Sequence, residues 1–175
     1  SWLNINANGE FDAAEIKNLL EAKPGSLVVA MHCNNEIGNM TKLEVIADLV
    51  TEFGGHFFTD AVQTIGHYAF DLSTLSISGL AASAHKFHGP KGVGFLYAKR
   101  GTKLHRIYGG GEQEKGLRPG TENMIAIAGM AMAMKMCYVD LEEAQSRMAS
   151  LKNQLQESLI TLIPGITFNG NPSSS

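Results

Sequence analysis

Apolar residues recur along the chain at two different periods. From Asp12 to Leu20, Ala13, Ile16, Leu19 and Leu20 fall three to four apart and Pro24-Gly25 follows, which predicts a short amphipathic helix. Leu27 to Met31 is a continuous Val-rich run, the pattern of a strand covered on both faces in a parallel sheet. Thr41 and Glu44 have the spacing of a capping box ahead of Leu43, Ile46, Ala47, Leu49, Val50 and Phe53, and Gly54-Gly55 closes this second helix. His56 to Thr59 reads as the next strand, so Leu27 to Thr59 has the length of one strand–helix–strand crossover. Ile77 to Ser83 and Gly94 to Ala98 are two more strands, joined by the turn Gly89-Pro90-Lys91-Gly92 and therefore expected to be antiparallel.

The second half changes character. Gly109 to Gly120 holds five glycines and one proline, a long loop of the kind that is usually functional. Met124 to Met136 follows, apolar nearly all round and expected to be buried, then the amphipathic Leu141 to Leu162, stopped by Pro164-Gly165. Ile166-Thr167-Phe168 is expected to begin a strand, ahead of Asn171-Pro172-Ser173-Ser174-Ser175. The fold class expected is α/β: the central part of a mixed, mostly parallel sheet flanked by helices (residues 1–140), then a linking helix and the start of a smaller α+β domain (141–175).

Composition narrows the partners. With 175 residues, 44% of them hydrophobic and 18% charged, the chain has ordinary globular usage. A net charge of −3 leaves no electrostatic footprint for nucleic acid or an anionic membrane. The most apolar stretch, Met124 to Val139, contains Lys135 and falls short of the roughly 20 residues of a membrane span. Cys33 and Cys137 have no paired spacing, so neither a disulfide framework nor a metal site is encoded, and a reducing, cytoplasmic setting is expected. The opening Ser-Trp-Leu-Asn-Ile-Asn is not a signal peptide and reads as the interior of a longer chain.

The densest chemistry is Ser83-Ala84-His85-Lys86-Phe87-His88-Gly89-Pro90-Lys91-Gly92, past the carboxyl end of a strand, where open α/β sheets bind ligands. A lone lysine there is ordinarily a solvated charge. Asp60, however, also follows a strand, and a lysine with an acid is the pair that a pyridoxal phosphate enzyme needs for the Schiff base and the pyridinium nitrogen. The glycines at 89–94 lack the spacing of a nucleotide phosphate loop. By themselves, Asn34 and Asn35 are turn formers, His32, His56, His67, His88 and His105 are ordinary packed or exposed histidines, and the methionines at 130–136 are core filler.

Four ordered blocks decide between these readings: His32-Cys33-Asn34-Asn35-Glu36-Ile37-Gly38, Thr59-Asp60-Ala61-Val62-Gln63, Ser83-Ala84-His85-Lys86 with Gly89-Pro90-Lys91-Gly92, and Gly116-Leu117-Arg118-Pro119-Gly120-Thr121-Glu122-Asn123. Between about Leu27 and Asn123 the chain resembles the cysteine desulfurases of the class V aminotransferase group, in the branch that supplies sulfur for iron–sulfur clusters. The resemblance implies pyridoxal 5'-phosphate as cofactor, Lys86 as its Schiff-base lysine and catalytic base, Asp60 as pyridinium partner, and Gln63 as donor to the phenolic oxygen, with Asn35 nearby. It implies Ser83 and His85 as phosphate ligands, and Thr121 as a contact to the phosphate of the partner subunit, hence a homodimer.

The implied reaction converts L-cysteine to L-alanine and leaves the sulfur as a persulfide on an enzyme cysteine, for transfer to an acceptor or scaffold protein. Neither Cys33 nor Cys137 matches that cysteine, and the substrate arginine, the phosphate loop and the ring-stacking histidine also have no match, so the chain alone is expected not to turn over. Glu112 stands between Gly111 and Gln113, where the family runs straight from three glycines to Gln-Glu. The rival readings are another class V enzyme, an aminotransferase or selenocysteine lyase, and a non-catalytic structural piece. A loop cysteine, transamination with 2-oxo acids, or dimerisation without cofactor absorbance separates them.

Overall fold

The computed structural model describes residues 1–170. Helix α1 (Ala13–Ala22) starts where Asp12 accepts from the Ala14 N–H at 2.8 Å, a side-chain cap for an otherwise orphan donor. Strand β1 (Leu27–Met31), helix α2 (Leu43–Glu52) and strand β2 (His56–Asp60) form the expected crossover, and β1 pairs with β2 in parallel. Strand β3 (Gly79–Ser83) pairs parallel with β2, and β4 (Gly94–Ala98) pairs antiparallel with β3, giving a sheet ordered β1-β2-β3-β4. Helices α3 (Met124–Cys137) and α4 (Leu141–Leu162) follow, bent by 73° at the break between them.

One face of the sheet is covered and the other is bare. Phe57, Thr59, Leu80 and Ala82 alternate onto the side where Ile16 and Leu20 of α1 and Leu43, Ile46, Ala47 and Val50 of α2 complete the core, all of them buried. On the opposite side Leu27 is 61% exposed, Val29 64% and Leu96 55%. Residues paired across the ladder share a face, so Asp60, Ala81 and Ser83 lie on that open side, at its carboxyl edge.

Several expectations fail for identifiable reasons. Thr41 does not cap α2: the N-cap is Lys42 and makes no side-chain bond, because the preceding backbone is drawn into a Cys33–Met40 bridge and the Thr41 N–H goes to the His32 carbonyl at 2.7 Å. The third strand starts at Gly79 rather than Ile77; the Ser78 N–H still reaches the Phe57 carbonyl, and Ile77 is spent in the core. Helix α3 is not buried as expected. Among its described side chains only Ala126 and Ala133 are buried, while Ile125 is 88% exposed and Met124 and Met136 are each 67% exposed. Ile166–Phe168 joins no ladder and is not a strand. The expectations placed on Asn171 to Ser175 lie outside the described residues. Among the described residues, no single helix is long and apolar enough to cross a membrane.

Candidate active site

The carboxyl ends of β2 and β3 place the candidate residues. Asp60 is the last residue of β2, with Met31 on one side and Ala81 on the other. Its Oδ1 accepts from the Val62 N–H at 2.9 Å, and its other oxygen has no hydrogen-bond partner among the described residues. The turn that follows carries Gln63, half-buried, whose amide is likewise unpartnered there.

Ser83 ends β3, and a single 3-10 turn, Ala84–Lys86, begins at once. The turn is anchored on buried residues: Ala84 and Phe87 are each 0% exposed, and the Ala84 carbonyl accepts from the N–H groups of Phe87 at 3.0 Å and Gly89 at 2.8 Å. A Cβ at Gly89 would lie 2.8 Å from that of Ala84, and His88 takes φ +64°, so the chain doubles back tightly after the lysine. His85 and Lys86 are left exposed. His85 Nδ1 and Ser83 Oγ lie 2.9 Å apart, a ready-made pair of polar atoms beside Asp60's side of the sheet. The Lys86 carbonyl accepts from His67 Nε2 at 3.1 Å. His67 was assigned no function from sequence, and the 19 residues separating it from Lys86 leave no pattern that would have found it.

The remaining candidates are farther along the same edge or in the long loop. Asn34 is the turn former: its Oδ1 accepts from the Glu36 and Ile37 N–H groups at 2.9 and 3.2 Å. Asn35 is exposed and donates to Glu36 Oε1 at 2.6 Å. Thr121 is exposed ahead of α3 and shares no hydrogen bond with any of these residues. Glu112 is held by Arg106, which pairs with it at 3.2 Å and donates to the carbonyls of Tyr108, Gly110 and Gly111, so the glycine loop is wrapped around a guanidinium. A cavity of about 480 Å³ lies elsewhere, between Ile5, Phe11, Ile16, Met40 and Ile46; it takes in Asn34 and none of Asp60, Gln63, Ser83 or Lys86. Asp60, Gln63, Ser83 and Lys86 thus lie outside that cavity, at or just past the carboxyl ends of β2 and β3.

Three neighbouring groups have defined electrostatics. Burial pushes the Cys33 and Cys137 thiols up, which lowers their thiolate fraction. Burial holds the His32 imidazole below its ordinary value of 6.5, opposed by the Glu44 carboxylate. Its Nδ1 lies 2.9 Å from Thr64 Oγ1, and Phe70 meets its ring edge-on at 5.1 Å. A histidine kept neutral in the fold resists the proton that the unfolded chain takes up, so its stabilising effect is complete above about pH 6.5 and lost as the pH falls below it. Thermal melts at a series of pH values are expected to show Tm falling from about pH 7 to 5, and falling less in His32→Phe.

Thr59, one residue before Asp60, points to the covered side, is 3% exposed, and its Oγ1 has no hydrogen-bond partner among the described residues. An unsatisfied buried hydroxyl costs about 1 kcal/mol or more, so Thr59→Val is expected to raise the melting temperature, and a lowered one would show that the hydroxyl has a use.

Comparison with known proteins fixes the class. The aminotransferase class-V pattern matches residues 1–175, and the chain belongs to that family. It is similar to a cysteine desulfurase IscS of Dictyoglomus turgidum, 36% identical over 174 residues, covering 99% of this chain and 44% of that protein. A cysteine desulfurase of a Nostoc species is 36% identical over 171 residues, covering 98% of this chain and 42% of that one. Among solved structures, a NifS-like protein superposes with a TM-score of 0.88 at 36% identity, covering 93% of this chain and 45% of that chain. SspA in complex with cysteine gives 0.76 at 30% identity, covering 90% and 45% respectively. The chain thus spans less than half the length of the relatives it matches.

Proposed function

We propose that this chain is the central part of a pyridoxal phosphate-dependent cysteine desulfurase, converting L-cysteine to L-alanine and passing the sulfur on through an enzyme persulfide. The observation that carries the reading is the placing of Lys86 just past β3 and Asp60 at the end of β2, on hydrogen-bonded neighbouring strands at one sheet edge. The donor set fits the cofactor: an exposed amine, a carboxylate with one free oxygen, an unpartnered amide, and a Ser–His pair beside them.

In this reading the Asp60 carboxylate holds a proton on the ring nitrogen and Gln63 donates to the phenolic oxygen. Ser83 and His85 bind the phosphate, Asn35 lies near the substrate carboxylate, and Thr121 serves the phosphate of a partner subunit in a homodimer. Bound there, pyridoxal phosphate supplies an electron sink for bond breaking at the substrate's α-carbon. The Lys86 amine takes the proton from that carbon. Neither Cys33 nor Cys137 stands where the resembling family carries its sulfur-accepting cysteine, so in this reading that role falls to neither. Residues 1–140 form part of the cofactor-binding unit and 141–175 lead into a smaller domain. Sulfur delivery to an acceptor or scaffold protein for iron–sulfur clusters, and a cytoplasmic setting, complete the proposal.

The test is the absorbance spectrum of the chain with added pyridoxal phosphate, followed by borohydride reduction and peptide mapping. Adduct concentrated on Lys86 is the expected result. Adduct scattered over the other lysines would overturn the assignment, and 2-oxo acid-dependent transamination in place of alanine release from cysteine would favour an aminotransferase.

A further inference from the structure

The peptide carrying Lys86 is gripped from behind by residues outside the candidate site. Gly66 has φ +84°, and a Cβ there would lie 2.5 Å from that of Phe87, so the 66–68 segment sits flush on the buried phenylalanine that follows the lysine. Beside it, His67 directs Nε2 at the Lys86 carbonyl, 3.1 Å away. A carbonyl oxygen only accepts, so Nε2 carries the hydrogen, and it satisfies a group at the end of a 3-10 turn that has no partner within that turn.

The same segment is tied to the bend between α3 and α4. Gln145, near the start of α4, donates from Nε2 to the His67 carbonyl at 2.6 Å. The Tyr138 hydroxyl accepts from the Gly66 N–H at 3.3 Å and donates to the Tyr68 carbonyl at 3.2 Å. Cys137 Sγ lies 3.4 Å from the Phe87 carbonyl, and α3 approaches Pro90 so closely that a Cβ on Gly129 would meet its ring at 2.8 Å. Residues 66, 67 and 68 are each bonded to this bend, and 67 is also bonded to the peptide of Lys86.

We propose that His67 is a positioning residue for Lys86: it fixes the lysine's peptide through the carbonyl and couples it, by way of Gln145, to helix α4. The inference rests on Lys86 being the lysine that binds the cofactor. It differs from a packing role because the ring's N–H, not its volume, does the holding.

Three variants of the full chain test it: His67→Phe keeps a ring without the donor, His67→Gln restores an N–H, and Gln145→Ala cuts the link from the helix side. In the labelled protein without cofactor, the Lys86 carbonyl carbon resonance is expected to move in His67→Phe and return toward its wild-type position in His67→Gln. The pyridoxal phosphate concentration that half-labels Lys86 is expected to rise about fivefold in His67→Phe, to rise less in Gln145→Ala, and to recover in His67→Gln, the scale of one hydrogen bond. Equal carbonyl shifts and equal half-labelling in all four proteins would overturn the proposal, as would losses in His67→Gln as large as in His67→Phe. A wild-type chain that labels a lysine other than Lys86 would instead overturn the site assignment, with the carbonyl shift still reporting whether the His67 bond exists.

Discussion

Lys86→Ala is expected to abolish the borohydride-trapped adduct entirely while leaving the melting curve in place. The two halves of that expectation have separate origins. Lys86 is exposed and its side chain makes no hydrogen bond or ion pair among the described residues, so the fold draws little from it and its removal is a surface change. The covalent link depends on a single amine, for which neither His85 nor the exposed Lys91, five residues on, is a substitute by position. Lys86→Arg is expected to fail equally, since a guanidinium stays protonated and forms no Schiff base. Mass spectrometry of the reduced, digested protein reads both variants, and adduct persisting at undiminished level in Lys86→Ala would remove the lysine from the mechanism.

Phe87→Ala is expected to give the largest loss of stability of any single change near the site, about 3–5 kcal/mol. The ring is fully buried, and Gly66 lacks a side chain where one would collide with it. Because folded domains are stable by only about 5–15 kcal/mol, this is a large share of the total. Chemical denaturation reads it directly. A loss below about 1 kcal/mol would mean that the lysine turn is not anchored in the core at all.

Much of this architecture could be read from residue order. The Val-rich run at Leu27–Met31, the periodicity of α2 and the turn Gly89–Gly92 point to the parallel pair β1–β2 and the antiparallel pair β3–β4, because buried strands and tight turns impose local rules. Asp60 and Lys86 stand out in the sequence because each lies close to the carboxyl end of a strand, the edge where open α/β sheets bind ligands. What escaped depended on contacts between distant segments. Thr41 has the composition of a cap, but a bridge between Cys33 and Met40 consumed its backbone. Apolar periodicity does not say what covers a helix, so α3, apolar nearly all round, was expected inside and is largely outside. Ile166–Phe168 has strand-forming residues and no ladder to join. His67 looks like any other histidine until the fold brings it against the lysine's carbonyl.

The bare side of the sheet, together with the exposed apolar residues of α3 and α4, has a thermodynamic signature. The chain exposes 11919 Å², whereas a compact protein of 18.8 kDa exposes about 8,300 Å² by the usual mass scaling. Unfolding therefore uncovers less new apolar surface than is normal for this length, and the heat-capacity increment should fall below the usual 12–15 cal/mol/K per residue, roughly. A calorimetric stability curve would then be flatter than that of a fully covered α/β domain, with weak curvature and a shallow cold limb.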